Sequence, residues 1–217
     1  PTGNTVPSVD AGLNYTIPIG TPYKLTGTSN DTDGIQTHTY TWENYDLGPS
    51  GVPSPTTIEG PLTRSFPPST SPFRYVPQLE DVLINGGVAT QWEQLALLER
   101  TINYRLTVRD NDIRGGQAAF DAMTINIVSS GFFRVTSQNA PGIVYDGGSS
   151  QTITWDVAGT TGSGINTANV NILLSIDGGQ NFDIVLVSNT PNDGTQIVTL
   201  PNVDAPQCRI IVEAVDN

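Results

Sequence analysis

Two short acidic runs carry the clearest chemical signal in this chain. Asn30-Asp31-Thr32-Asp33-Gly34 sets two carboxylates two residues apart, beside a glycine that lets the backbone bend around them. Asp110-Asn111-Asp112 repeats the spacing. Alternate carboxylates on a tight loop suit a hard cation that gathers roughly six to eight oxygen ligands. Asp31, Asp33, Asp110, Asp112 and Asn30 are therefore the candidate calcium ligands, with Asp10 and Glu43 as additional donors. The pattern is not an EF-hand, because no bidentate glutamate follows at the required spacing. The same residues also suit Asx-turns, in which each side chain satisfies nearby backbone N–H groups. At this level the two loops either meet at one end of a fold or lie at opposite ends.

Other chemistry is constrained by a single histidine, His38. A zincin needs several metal ligands and a general base, and there is no His-Glu-x-x-His run. A serine triad would need His38 as its base, and no serine lies in a nucleophile-elbow sequence. His38 runs directly into Thr39-Tyr40-Thr41-Trp42-Glu43 and reads as a loop or strand-end residue. Paired carboxylates also serve glycosidases, but both pairs sit in turn-like sequence without an aromatic cleft, which fits ion binding or solvation better. No catalytic residue is expected. The residues suited to recognition are aromatic. Trp42 and Trp155 lie in alternating segments and are expected in cores, whereas Trp92, Tyr75, Phe73 and Tyr45 are the candidate contacts for a peptide or glycan.

The charge balance narrows the partners. Nine basic residues stand against 21 acidic ones, a formal net charge of -12. There is no basic stripe for a nucleic-acid backbone, and anionic lipid is disfavoured for the same reason. No apolar run is long enough to span a bilayer as a helix, so no membrane insertion is expected. The chain opens at Pro1 without a signal peptide, as an excised fragment would, which leaves export open. The single cysteine, Cys208, falls in phase with Ile210 and Val212 and is expected to be a buried small hydrophobe.

The elements that must position these residues are strands. Gly (22) and Pro (16) punctuate a chain that is 36% hydrophobic and only 14% charged, which suits an all-β fold rich in turns. Period-two segments recur at Tyr23–Gly27, Thr39–Glu43, Tyr104–Arg109 and Met123–Ile127. After Ser129-Ser130-Gly131 the pattern restarts with Phe132–Thr136, Gln151–Val157, Ala168–Ser175, Phe182–Val187, Thr195–Leu200 and Cys208–Ala214. Asp177-Gly178-Gly179 marks a tight turn between two of them. About seven strands in the second stretch fit a small β-sandwich. Two domains, 1–130 and 131–217, are preferred over one continuous sandwich. The stretch from about 47 to 99 is a proline-rich insertion, too long for an ordinary hairpin loop. Gln91–Arg100 is expected to form a short helix or a strand, and Phe66, Phe73, Tyr75, Leu79, Val82 and Leu83 are its expected anchors. It serves either as a structural flap or as a functional surface.

Longer phrases carry a resemblance. Val9–Gly12, Leu25-Thr26-Gly27, Asn30–Gly34 and Tyr40-Thr41-Trp42 resemble the opening of a PKD-like or cadherin-like immunoglobulin-type domain, and Leu106–Asn111 resembles its late strand. Arg64–Pro72, Thr152–Thr161, Leu174–Gly179 and Thr190–Gly194 resemble the region downstream of the catalytic domain in secreted reprolysin-like zinc metallopeptidases of Bacteroidetes-type bacteria. Together these phrases cover nearly the whole chain. The resemblance implies two tandem sandwiches of immunoglobulin-like or fibronectin-like type, the first PKD-like. It implies noncatalytic modules that space, stabilise or present substrate or surface, in a secreted or cell-surface protein. Zinc would then belong to a catalytic domain outside these residues, the first partner would be that domain of the same polypeptide, and a further apolar strand and a sorting domain would follow Asn217. The rival expectation is an adhesion module that binds extracellular glycan or protein directly.

Overall fold

A computed structural model describes residues 3–84 and 89–215. Strands dominate, as the punctuation by glycine and proline predicts. The chain divides into two compact units, one of Pro1–Tyr15 and Pro22–Ile127, the other of Thr16–Thr21 and Val128–Asn217. No helix among the described residues is long and apolar enough to cross a membrane.

In the first unit β1 (Ser8–Asp10) begins the chain's strands and β2 (Tyr15–Pro18) lies at the changeover between units. They are followed by β3 (Tyr23–Thr26), β4 (Thr28–Asn30), β5 (Thr39–Asn44), β6 (Phe73–Val76), the helix α1 (Leu79–Ile84), β7 (Arg100–Arg109) and β8 (Ala118–Val128). β5, β7 and β8 are antiparallel neighbours in that order, with Trp42 opposite Leu106 and Tyr104 opposite Met123. Strict alternation buries Tyr40, Trp42, Ile102, Tyr104, Leu106, Val108, Met123 and Ile125 on one face. β3 pairs with β6, and β1 with β4. The β3–β6 ribbon lies over that apolar face. Leu25 and Val76 are buried in it, and the Tyr23 hydroxyl meets the Tyr104 hydroxyl at 2.9 Å. Gly27 is required here: a Cβ would overlap Leu106 Cδ2 and stand 3.0 Å from the Asp10 carbonyl oxygen.

The insertion is fastened rather than loose. Two buried ion pairs pin it. Arg74 on β6 donates to Glu93 Oε1 at 2.7 Å, to the Trp42 carbonyl at 2.7 Å and to the Arg64 carbonyl at 2.7 Å, while Glu93 Oε2 accepts from Gln78 N at 3.1 Å. Arg100 donates to the carbonyls of Thr57 and Gly60 and pairs with Asp46, which also accepts from Asn44 and Asn103. Gln91–Arg100, expected as a short helix or a strand, forms neither through Glu99, and Arg100 opens β7. The segment before β7 contributes only an isolated bridge between Thr63 and Glu93, and among the described residues the regular elements of the insertion are β6 and α1. The expected apolar anchors are also corrected. Phe73 is exposed, and Phe66, Tyr75, Leu79, Val82 and Leu83 are half-buried, whereas Leu62, Val76 and Ala96 are buried. The anchoring is done largely by backbone carbonyls and buried charges, which hydrophobic patterning does not register.

The second unit holds β9 (Arg134–Val135), β10 (Ser150–Asp156), β11 (Asn169–Ser175), β12 (Ile184–Pro191), β13 (Thr195–Thr199) and β14 (Arg209–Ala214). β10 lies between β13 and β9, and β11 between β12 and β14. Ile153 and Trp155 of β10 and Val198 of β13 pack with Val170 and Ile172 of β11 and Val212 of β14. Two three-stranded sheets thus share one core, a sandwich-like arrangement. Asn192 satisfies the polar edge of that core. It accepts from Trp155 Nε1 at 2.8 Å and donates to Thr160 Oγ1 and to the Thr167 carbonyl. Cys208 is exposed, because β14 begins one residue later at Arg209.

Candidate functional site

The two acidic loops meet. Asp31 and Asp33 follow β4, and Asp110 and Asp112 follow β7. Asn111 ties the loops together, donating from Nδ2 to the Thr37 carbonyl at 2.8 Å and to Thr39 Oγ1 at 3.0 Å. Its backbone is left-handed, with φ of 52°, a conformation that asparagine tolerates better than most residues. The N-terminal segment lies across both loops. Thr5 donates its N–H to Asp33 Oδ2 at 2.8 Å, and its hydroxyl lies 2.6 Å from both Asp31 Oδ1 and Asp33 Oδ2. Asn4 Nδ2 donates to Asp110 Oδ2 at 2.7 Å, and Asp110 Oδ1 accepts from Gln117 N at 2.8 Å and Asp112 N at 3.2 Å.

A guanidinium closes the cluster. Arg114 grips Asp112 through Nε and Nη2 at 2.9 and 2.6 Å, and the same Nη2 lies 2.9 Å from Asp33 Oδ1. Nη1 donates to the Gly3 carbonyl at 3.1 Å. These contacts set the ionisation of the site. The Thr5 hydroxyl and N–H, then Arg114, lower the Asp33 pKa to about 2. Arg114 lowers that of Asp112, and Asp112 and Asp33 together raise that of Arg114. Burial pushes Asp110 up, but the hydrogen bonds from Gln117, Asn4 and Asp112 outweigh it and leave its pKa lowered.

As a calcium cage these residues do not fit. Calcium needs about six to eight oxygens converging at roughly 2.3–2.6 Å. Here both Asp112 oxygens and Asp33 Oδ1 face a guanidinium, and the other Asp33 and Asp110 oxygens and Asp31 Oδ1 accept from N–H and O–H groups. Buried Asp31 Oδ2, which accepts no hydrogen bond among the described residues, lies 3.8 Å from His38 Nε2. Among the described residues, no group of three or more His, Cys, Asp or Glu side chains is arranged to hold a metal. Asn30 ends β4 as an exposed residue, its carbonyl accepting from Ser8 Oγ. Asp10 accepts from Gly12 N and Glu43 from Ser65 Oγ, each away from this cluster's hydrogen bonds. His38 is buried beside the first loop, with Nδ1 at 2.8 Å from Ser29 Oγ and Nε2 at 3.8 Å from Asp31 Oδ2.

The aromatic candidates fall into three places. Phe73 and Tyr75, on one face of β6, make an edge contact at 5.8 Å. Lys24 on β3 lies 4.5 Å over the Phe73 ring and 5.5 Å over Tyr75, brought there by the pairing of Lys24 with Tyr75. Tyr45 stacks on Arg105, whose other ring contact is Phe120. Trp92 lies in the turn before the Glu93 bridge, its carbonyl accepting from Arg64 N at 3.0 Å. Trp42 and Trp155 are core residues, each 4% exposed.

Sequence reasoning missed Lys24, Phe120 and above all Arg114. Arg114 had a signal. A cation two residues beyond Asp112 in a loop can fold back on the carboxylate before it. Lys24 became legible only once Phe73–Val76, bracketed by Pro72 and Pro77, is recognised as a strand. No protein-family model and no curated protein sequence matches this chain.

Proposed function

We propose that the chain forms two tandem immunoglobulin-like modules, the first PKD-like, that act as a noncatalytic spacer and stabiliser in a secreted bacterial metallopeptidase. The reading starts from the resemblance of Arg64–Pro72 and Thr152–Thr161 to the region downstream of such catalytic domains. One structural observation supports it: the side chains best suited to chemistry are built into the scaffold. Asp33 and Asp112 hold Arg114, Glu93 holds Arg74, and His38 is buried against Ser29. A spacer needs loops that keep their shape, and these bonds fasten the longest one. The catalytic domain of the same polypeptide is then the first partner and carries the zinc. The complete open reading frame tests this. A His-Glu-x-x-His segment and an export signal in the same frame are expected, and a frame with neither overturns the proposal.

A second reading, direct adhesion to extracellular glycan or protein, is favoured by exposed Phe73 and half-buried Tyr75 under Lys24. Aromatic faces beside a cation suit sugar rings and peptide side chains. Glycan arrays and pulldowns from extracellular protein fractions distinguish the two. A partner lost with F73A/Y75A supports adhesion, and no partner supports the spacer.

A further inference from the structure

Three segments far apart in sequence converge at the acidic end of the first unit: residues 3–5, 31–33 and 110–117. Four carboxylates are drawn in by this convergence, and like charges at such separation repel unless a cation lies among them. The loop supplies that cation from its own sequence. Arg114 makes a two-pronged contact with Asp112, reaches Asp33 on the other loop at 2.9 Å, and donates to the Gly3 carbonyl on the N-terminal segment. A planar guanidinium with five fixed donors can satisfy two carboxylates and a carbonyl at once, which a lysine ammonium does less well. A divalent ion that took Asp33 Oδ1 or the Asp112 carboxylate as a ligand would have to displace the guanidinium.

We propose that Arg114 is the resident cation of this end, holding the N-terminal segment and both acidic loops together in the way a bound divalent ion otherwise would. The fold is thereby independent of calcium. Arg114 acts as an internal counterion and not as a ligand site, and its two carboxylate partners are structural residues.

Thermal melts and calorimetric titrations of the 217-residue protein with millimolar CaCl2 test this. Wild type is expected to give no binding heat and an unchanged Tm. R114A is expected to melt lower by several degrees and to recover part of the loss in calcium, because Asp33 and Asp112 are left facing each other. R114A/D33N removes that recovery. R114K, which keeps the charge and loses the fork, is expected to melt between wild type and R114A. A wild-type Tm that rises in calcium and stops rising in D33N overturns the proposal, as does an R114A protein that melts like wild type with and without calcium. If R114A does not fold, the wild-type titration and the R114K melt still decide it.

Discussion

Arg74 and Arg114 make the same kind of bond in opposite surroundings. Arg74 and Glu93 are 9% and 0% exposed at the side chain, whereas Arg114 and Asp33 are 42% and 22% exposed. The ionisation of their partners follows the surroundings. Burial raises the Glu93 pKa even though Arg74 lies against it, while hydrogen bonds from Thr5 and the contact with Arg114 lower Asp33 to about 2. The buried pair carries an unavoidable desolvation penalty and survives because carbonyls of Trp42 and Arg64 and the N–H of Gln78 complete it. The exposed cluster carries little penalty and gains correspondingly little from each bond. The buried pair therefore fixes the insertion, and the exposed one organises loops and the N-terminal segment.

The largest expected effect breaks the buried side of this comparison. Glu93→Ala leaves the Arg74 charge buried without its carboxylate and is expected to destabilise the first unit by about 3–5 kcal/mol. Urea unfolding measures it. R74M/E93L, which removes both charges at similar volume, is expected to recover most of the loss. An E93A protein within about 1 kcal/mol of wild type would show that the pair is not what pins the insertion.

The second unit supplies the neutral counterpart. Asn192 fills a buried polar position with an amide and no charge, so its loss takes the acceptor from Trp155 Nε1 and exposes no buried ion. Asn192→Ala is expected to cost about 1–3 kcal/mol, less than E93A, with a shift in tryptophan fluorescence. Equal losses in the two variants would mean that burial of charge adds nothing beyond an unmet hydrogen bond.

Acid separates the two charged regions by sign. Asp33 has a folded pKa below its ordinary 3.8, so its contribution is present above 3.8 and is lost as pH falls towards about 2. Asp112 and Asp110 act in the same direction. Glu93 has a folded pKa above 4.5, so its ionised form weighs against the fold increasingly as pH rises through that higher window. Melting profiles from pH 2 to 7 are expected to show a shallower acid limb in D33N. In E93Q the slope above 4.5 should become more favourable to the fold at higher pH. A D33N acid limb parallel to that of wild type would remove Asp33 from the account.

Much of the strand framework is legible because burial on one face imposes period two. Tyr104–Arg109 and Gln151–Val157 announce β7 and β10 through residues that the core then takes up. Two short strands are not legible, although the two-residue β9 falls within Phe132–Thr136 as expected. Thr28-Ser29-Asn30 has no apolar member, and its pairing with β1 is imposed by the loops it carries. Cys208 kept the phase of Ile210 and Val212, but phase does not say where pairing starts, and it starts at Arg209. The acidic residues were legible as two pairs, since spacing alone marks them, but spacing did not say that the two loops meet. What they hold was not legible either, because a guanidinium and a calcium ion attract the same carboxylates and only the third dimension tells them apart. The anchors of the insertion were hidden for a related reason: hydrophobic patterning carries no signal for enclosed charges such as Arg74 and Glu93.

The smallest expected effect concerns Lys24, which rests on the rings of exposed Phe73 and half-buried Tyr75 instead of on a carboxylate. At an exposed site such a contact contributes about 0.5–1 kcal/mol, and the β3–β6 pairing that creates it depends on backbone bonds that the rings do not make. F73A/Y75A is therefore expected to lower stability by no more than about 1 kcal/mol. That near-neutrality makes the variant informative about function. Rings of which one is exposed and the other half-buried, with the chain's single lysine above them, are expected to contribute little to folding, so a strong effect on partner capture would identify them as a recognition surface. A large loss of stability would instead place the rings with Glu93 and Arg74 among the fastenings of the insertion. The exposed face of β6 would then belong to the scaffold, and the adhesion reading would lose its one structural support.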